Sequence, residues 1–385
     1  MREQVGRGAA AGRRILIVAG EASGDLHGAE LARELFRRLP DCELLGVAGA
    51  EMRAAGVRPL YRVEDLTGLG LVELASTLGL TLRVFAALKR LLRESPPDLL
   101  VLIDFAEFNL ALAGAARRAG VPVLYYILPQ VWAWRRARVK KLLRRADKLA
   151  LVFPFEAGIY AAAGARAQFV GHPLLDRVTA QEPAAVLSRH GFAPEARLLV
   201  LLPGSRPGEI RHLLKTLAEA ARLLARRHGL VPVLVRAPTL TVKELERAAP
   251  GLLDGIRIVD HDAYSIIGAS RLALCCSGTA TLETALLGCP MVVVYKVSGL
   301  TYALARLLVR GVRFIAMPNI LAGRKIVPEL IQRELTVEKL VESAEPLLEE
   351  SAQKQTRAAL AALRAGLGTP GAAARVAEMA LDMIR

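Results

Sequence analysis

Four short segments carry residue types that could do chemistry. Leu99-Leu100-Val101-Leu102-Ile103-Asp104-Phe105-Ala106-Glu107-Phe108-Asn109 puts two carboxylates just past an apolar run that reads as a buried strand. A carboxylate with an ordinary pKa is ionised at neutral pH and can take a proton from a substrate hydroxyl. The same residue types also start helices, so one of the pair can serve as a cap. Gly20-Glu21-Ala22-Ser23-Gly24-Asp25-Leu26-His27-Gly28 follows another strand-like run and opens a helix. Its glycines let backbone approach a ligand, and free helix-start amides suit an anion. The spacing is not the dinucleotide fingerprint. Leu202-Pro203-Gly204-Ser205-Arg206-Pro207-Gly208-Glu209 repeats this logic and adds an arginine, whose planar fork suits a phosphate. Cys276-Ser277-Gly278-Thr279-Ala280-Thr281-Leu282-Glu283 brings hydroxyls and amides to one anion-sized spot, with Glu283 read in the first helical turn and within reach of a ribose. A purely structural Glu283 would complement the helix dipole. Together the last two turns read as a nucleotide-diphosphate site.

The elements that must position these turns are also legible. Apolar runs alternate with amphipathic helical patterns, the signature of a parallel sheet covered by helices. Strands are expected at Ile15–Ala19, Leu44–Val47, Leu99–Ile103, Val121–Tyr126 and Leu149–Phe153. A second series runs through Leu198–Leu202, Val231–Val235, Ile256–Val259, Leu272–Cys276 and Met291–Tyr295. Leu31, Leu35 and Leu39 recur four apart, which gives the first helix one apolar face. The fold class is therefore α/β, with two Rossmann-like doubly wound domains facing a cleft. Ligands in such sheets bind beyond the carboxyl ends of the strands. We expect a disordered tail over 1–13, a first Rossmann-like domain over 14–172, and a second one, carrying the nucleotide-diphosphate turns, over 173–350. Helices over 351–385 would pack across the cleft. The Gly171-His172-Pro173-Leu174-Leu175-Asp176 stretch reads as the interdomain connection.

Composition narrows the class. The chain has 385 residues, 53% hydrophobic and 23% charged, which suits globular domains rather than disorder. The most apolar long stretch, Leu66–Leu82, carries Glu73 in its middle, so no spanning helix is expected. Cys42, Cys275, Cys276 and Cys289 show no metal-ligand spacing, and such sparse usage suits a reducing cytosol. The formal net charge is +15, and eight basic residues lie between Arg135 and Lys148, directly after Val131-Trp132-Ala133-Trp134. Such a run is a solvated helix face or a contact with anionic lipid or phosphate. No nucleic-acid module is visible, so no nucleic-acid partner is expected.

The motifs also carry a family resemblance. From Ile15 to about Ile331 the chain resembles the lipid-A-disaccharide synthases. It does so in Gly20-Glu-Ala-Ser-Gly-Asp25, Ile103-Asp104…Phe108-Asn109, Pro129-Gln-Val-Trp-Ala-Trp134 and Phe153-Pro-Phe-Glu156. Gly171-His172, Leu202-Pro-Gly-Ser-Arg206, Ser277-Gly-Thr-Ala-Thr-Leu-Glu283 and Pro318-Asn-Ile-Leu-Ala-Gly323 follow in order. The resemblance implies an inverting transfer of 2,3-diacylglucosamine from UDP-2,3-diacylglucosamine to the 6-hydroxyl of 2,3-diacylglucosamine 1-phosphate. The product is a β-1,6 disaccharide of lipid A biosynthesis, and UDP is released. It further implies a general base, no metal, no cofactor, and a peripheral place on the anionic inner face of the inner membrane; a homodimer is compatible with it. The family's functional positions fall on Asp98, Asp104, Glu107, Arg206, Glu283 and Asn319. Catalysis is expected from Glu107, Asp104 and Asp98. Donor binding is expected from Ser205, Arg206, Ser277, Gly278, Thr279, Thr281, Glu283 and Asn319. Where the family usually has Pro-Asp-Phe-Asn, this chain has Ala106-Glu107-Phe108-Asn109. That leaves Asp104 and Glu107 as alternative bases, with Glu107 matching the family's carboxylate position. Acyl chains would find apolar surface at Leu66, Leu69, Leu71, Val72 and Leu74. Rival readings are a UDP-N-acetylglucosamine 2-epimerase, which needs no acceptor, a peptidoglycan-lipid glycosyltransferase, and a non-catalytic basic protein.

Overall fold

The computed structural model describes residues 12–66, 71–128, 137–161, 164, 166–299 and 313–384, without the side chains of 71–78 and 137–138. The Trp132 and Trp134 segment, the start of the basic run, Leu69 and the 1–11 tail lie outside the described residues. So do the side chains of Leu71, Val72 and Leu74. The chain divides into two compact units, Met1–Pro173 with Gly368–Arg385, and Leu174–Leu367. The helix Glu350–Gly366 belongs to the second unit and the helix Ala372–Ile384 to the first.

The first unit holds a seven-stranded parallel sheet in the order β3-β2-β1-β4-β5-β6-β7. Its strands are β1 (Arg14–Ala19), β2 (Glu43–Ala48), β3 (Arg58–Arg62), β4 (Leu99–Ile103), β5 (Val123–Tyr126), β6 (Lys148–Leu151) and β7 (Ala167–Phe169). The second unit holds six strands in the order β10-β9-β8-β11-β12-β13. They are β8 (Arg197–Leu202), β9 (Leu230–Val235), β10 (Arg257–Val259), β11 (Leu272–Cys276), β12 (Met291–Tyr295) and β13 (Glu329–Ile331). Both sheets thus follow the Rossmann winding, in which the strand order reverses beside the first strand. In the first unit the reversal lies between β1 and β4, with Ala19 opposite Ile103. In the second it lies between β8 and β11, with Leu202 opposite Cys275.

The central strands are buried on both faces. Ile15 to Ala19, Leu99 to Ile103 and Leu198 to Leu201 are fully buried, as the continuous apolar runs require. Their helices close the core with one apolar stripe each. On Pro207–His228, Ile210, Leu213, Leu214, Leu217, Ala221 and Leu224 recur at three- and four-residue spacing and are all buried. Leu31 and Leu35 do the same on Ala22–Arg38. The four cysteines are buried free thiols. No helix among the described residues is long and apolar enough to cross a membrane.

One buried charge in the first unit has a measurable consequence. Glu156, at the start of the helix Pro154–Ala161, is 1% exposed and accepts the Phe153 N–H at 3.2 Å. Burial pushes its carboxyl up to about 7. A folded-state pKa above the unfolded value gives stability that is full in acid and lost as pH rises through the folded pKa. The first unit should therefore lose stability between about pH 4.5 and pH 7. Glu156→Gln should flatten that slope and stabilise the first unit at pH 8 by about 1–3 kcal/mol, seen as a higher unfolding midpoint. Thermal scans of both proteins at pH 5 and pH 8 check it.

Candidate active site

At the first reversal point, β4 ends in an unusual backbone. Asp104 and Phe105 have φ values of 48° and 49°, and Ile127, beyond the end of β5, has 58°. Non-glycine residues there cost about 1–3 kcal/mol each and persist only when their surroundings hold them. The holding groups are specific. The Asp104 carbonyl accepts the Tyr125 hydroxyl at 2.9 Å and the Asn109 side-chain amide at 2.8 Å. That amide, fully buried, also donates to the carbonyls of Ile103 and Val18. The Asp104 N–H reaches the Ile127 carbonyl at 3.1 Å. Across the reversal point Gly20 makes room for the Phe105 ring, because a Cβ there would stand 2.0 Å from Phe105 Cγ. The first glycine of the Gly-Glu-Ala-Ser-Gly-Asp segment is thus required by the turn after β4.

This bracing fixes Asp104 in a half-buried position near Glu21, His27 and, through His27, His172. Burial, helped by the Glu21 charge, pushes the Asp104 carboxyl up to about 6, while a backbone N–H and His27 pull the other way. His172 is driven down to about 3 by its burial and stays neutral at physiological pH. Glu107 lies three residues on, exposed in the first turn of the helix Ala106–Arg118. The two carboxylates of this strand end therefore share a rim but not an environment.

Asp98 is not brought to them. It precedes β4 whereas Asp104 follows it, which at about 3.3 Å per residue separates the two by about 20 Å. There its carboxylate accepts the Arg14 N–H at 2.7 Å and pairs with Arg13 at 3.8 Å, tying β4 to β1. Asp25 is likewise occupied. It is 4% exposed and accepts the N–H groups of Gly49, Glu51 and Met52, capping the helix Ala50–Ala54.

At the second reversal point, β8 and β11 each end in a turn that starts a helix. Glu209 folds back over Gly204, whose φ is 108°, and accepts the N–H groups of Ser205 at 3.0 Å and Arg206 at 3.2 Å. Those amides, expected from sequence to face a phosphate, are thus used by the protein's own carboxylate. The Arg206 guanidinium remains outside, 69% exposed and 4.0 Å from Glu209. Its charge is felt by Cys276 and Tyr295 at the ends of β11 and β12, so it leans across the reversal point.

The turn after β11 is more open. Gly278 and Thr279 are exposed at the start of the helix Thr279–Leu286, where the Thr281 N–H already donates to the Gly278 carbonyl at 3.1 Å and the amides of Thr279 and Ala280 have no partner inside the helix. Ser277 donates its hydroxyl to the Ile315 carbonyl at 3.1 Å, and the buried Thr281 hydroxyl caps Gly278 at 2.8 Å. Thr281 therefore shapes the turn from inside. Glu283 is the fifth residue of this helix and not in its first turn, which corrects the sequence reading. It stands one turn below Thr279 on the same face. Its Oε1 accepts the Tyr264 hydroxyl at 2.8 Å.

Asn319 sits behind this turn and is fully buried. Its amide donates to the Val327 carbonyl and to Glu329, and its oxygen accepts the N–H groups of Ile326 and Val327. Glu329 in turn accepts the Ile315 and Ala316 N–H groups. Asn319 thus holds the loop whose Ile315 carbonyl receives Ser277, with its own polar atoms already engaged.

The lipid-A-disaccharide synthetase family model matches residues 15–380. The chain belongs to the lipid-A-disaccharide synthase family. A lipid-A-disaccharide synthase from Geobacter metallireducens is 44% identical over 382 residues, covering 98% of this chain and 99% of that one. Among solved structures, the UDP-GlcNAc 2-epimerase of Neisseria meningitidis bound to UDP-GlcNAc aligns with a TM-score of 0.65 at 12% identity. The alignment covers 96% of this chain and 100% of that one. A calicheamicin glycosyltransferase aligns with a TM-score of 0.62 at 18% identity, covering 97% and 98%. These two share the fold.

Within the synthase family's motifs, the structure separates residues at the rim from residues that hold the rim. Asp104, Glu107, Arg206, Gly278, Thr279 and Glu283 are at the rims. Asn109, Thr281 and Asn319 are buried supports. Tyr125, Tyr264, Glu209 and Glu329 went unseen as supports in the sequence. Each acts through a contact that no local pattern announces, except Glu209, whose place at the third helical position after Arg206 matches the acidic half of a capping box.

Proposed function

We infer that this chain is a lipid-A-disaccharide synthase, an inverting glycosyltransferase with a UDP-sugar donor. The donor is UDP-2,3-diacylglucosamine. The acceptor is 2,3-diacylglucosamine 1-phosphate, attacked through its 6-hydroxyl, and the products are the β-1,6 disaccharide 1-phosphate and UDP. What supports the mechanism is one juxtaposition: every rim residue lies on a turn at one of the two strand-order reversals, where this fold class receives ligands.

Inversion needs one displacement with a base on the acceptor side. Asp104 is that base. Its carboxyl, raised to about 6, is ionised at neutral pH yet basic enough to take the hydroxyl proton as the bond forms. As UDP leaves, charge builds on the β-phosphate. Arg206 and the Thr279 and Ala280 amides neutralise it, and preorganised donors of this kind do most where charge develops in the transition state. Glu283 takes the ribose hydroxyls. Ser205 and Ser277 line the same two turns, and Asn319 and Thr281 keep the second one in shape.

Incubating the protein with both substrates and following UDP release together with disaccharide formation tests this reading. UDP-N-acetylglucosamine turnover without an acceptor would instead support an epimerase.

The acceptor's phosphate calls for cations and its acyl chains for apolar surface, and the candidates are the basic run ending at Lys148 and the segment Leu69–Leu74; Leu66, expected with them, is buried in the core of the first unit and offers none. We place the enzyme on the anionic cytoplasmic face of the inner membrane, where it can work as a homodimer. Basic residues near such a surface contribute about 1 kcal/mol each and are screened within a Debye length. Flotation with anionic vesicles should therefore weaken as salt rises and persist in part through apolar contacts. No binding at low ionic strength would refute the membrane role.

A further inference from the structure

We propose that Tyr264 is the positioning residue that makes the nucleotide site select ribose over deoxyribose. The inference rests on Glu283 serving the ribose, and deepens it. Tyr264 is the second residue of the helix Ala263–Ala269, and its hydroxyl donates to Glu283 Oε1 at 2.8 Å. Glu283 itself rises from a different helix, Thr279–Leu286, one turn from its start. A glutamate on a helix surface has three rotatable side-chain bonds, and ordering it on binding costs affinity. The tyrosine bond removes that freedom in advance. It occupies one carboxylate oxygen and leaves Oε2 to accept from a sugar hydroxyl.

The helix carrying Tyr264 is itself pinned. Its cap residue, Asp262, has φ of 60°, a strained value for a non-glycine residue. The Asp262 carboxylate holds Arg189 at 2.5 Å and His190 at 3.0 Å, and accepts the Ser265 hydroxyl. Arg189 ends the helix Pro183–Arg189 and His190 caps it. Three elements thus converge to aim one phenol at one carboxylate. Nothing in the packing of the sheet requires this, since Tyr264 and Glu283 are only partly buried.

A site built to bond a hydroxyl discriminates against a ligand that lacks it, because its polar group is left without a partner. Wild-type protein should bind UDP about tenfold or more tightly than 2′-deoxy-UDP. Titration calorimetry with these two ligands on wild type, Tyr264→Phe and Glu283→Gln tests the assignment. Tyr264→Phe should shrink the UDP preference about threefold or more, while affinity for 2′-deoxy-UDP changes less than about twofold. Glu283→Gln should bring the preference close to unity. An unchanged preference in Tyr264→Phe with a collapsed one in Glu283→Gln would overturn the tyrosine's role and leave the ribose reading standing. An undiminished preference in both variants would remove Glu283 from the ribose and the inference with it. Parallel loss of both ligands in Tyr264→Phe would make the tyrosine merely structural, which also overturns the proposal.

Discussion

Asp104→Asn should lower turnover by about 10²–10⁴-fold while leaving UDP affinity within about twofold. The amide keeps the shape of the side chain and the two bonds to the Asp104 carbonyl, so the braced turn after β4 survives. What goes is the proton acceptor. The same substitution should stabilise the protein at neutral pH, by about 1–3 kcal/mol, because it removes a carboxylate whose charged form burial disfavours. The sign follows from a folded pKa near 6 against 3.8: stability is full below about pH 4 and lost as pH rises through 6. Lost activity with gained stability is the signature of a functional group held at a cost. The wild-type rate should fall on the acid side with a midpoint near 6, as the base becomes protonated. Glu21→Gln, by removing a neighbouring negative charge, should move that limb to lower pH. Steady-state kinetics over pH 5–8 on these variants, with Glu107→Gln and Glu107→Asp, settle the assignment. A large loss in Glu107→Gln, none in Asp104→Asn, and normal or better rates in Glu107→Asp would transfer the role to Glu107. Near-normal turnover in both neutral variants would take the base away from this strand end.

That experiment separates two residues the sequence presents as equals, and the reason they look equal there is instructive. Asp104 and Glu107 both follow the apolar run of β4, and sequence position alone conveys neither burial nor backbone strain. The distinction comes from Tyr125, Asn109 and Gly20, which meet at Asp104 and Phe105 from three other elements. Long-range contacts of this kind leave no periodic trace. Strands are the opposite case. Ten were readable, nine of them because central strands of a parallel sheet are buried on both faces and must be apolar throughout, while β10 at its sheet's edge showed only as Ile256 to Val259. The three missed, β3, β7 and β13, are short strands at sheet edges, and Arg58-Pro59-Leu60-Tyr61-Arg62 alternates too little to betray itself. The phosphate-type turns were visible as Gly, Ser and Thr after strands. Their occupants were not. Glu209 occupying the Ser205 and Arg206 amides, and Asn319 spending its whole amide on Val327, Glu329 and Ile326, are outcomes of local competition for hydrogen bonds. Asp98 shows the limit of strand-end logic most simply: it flanks the same strand as Asp104, at the end where ligands do not bind.

Because Glu209 has taken the amides of the first turn, the burden of the phosphate there falls on the Arg206 side chain. Arg206→Ala should weaken UDP binding by about 10–100-fold, the range for a lost hydrogen bond to a charged ligand. The fold should be untouched. The guanidinium is 69% exposed, and its ion pair with Glu209, at 4.0 Å across a solvated surface, contributes little. Arg206→Lys should fall between, since an ammonium keeps the charge but cannot offer two parallel N–H bonds. The loss in kcat/KM should exceed the loss in UDP affinity for each variant, so that kcat itself falls. Cleavage of the sugar–phosphate bond adds negative charge to the β-phosphate, so a donor aimed there is worth more in the transition state than in the ground state. Calorimetry with UDP and initial rates on the same preparations give both quantities. If Arg206→Ala loses UDP affinity while kcat is unchanged, the arginine binds donor and transition state alike and its catalytic share is nil. Should Arg206→Ala and Glu283→Ala both keep wild-type affinity, the nucleotide does not use the turns after β8 and β11 at all. The charge on the leaving phosphate would then have to be met by other groups.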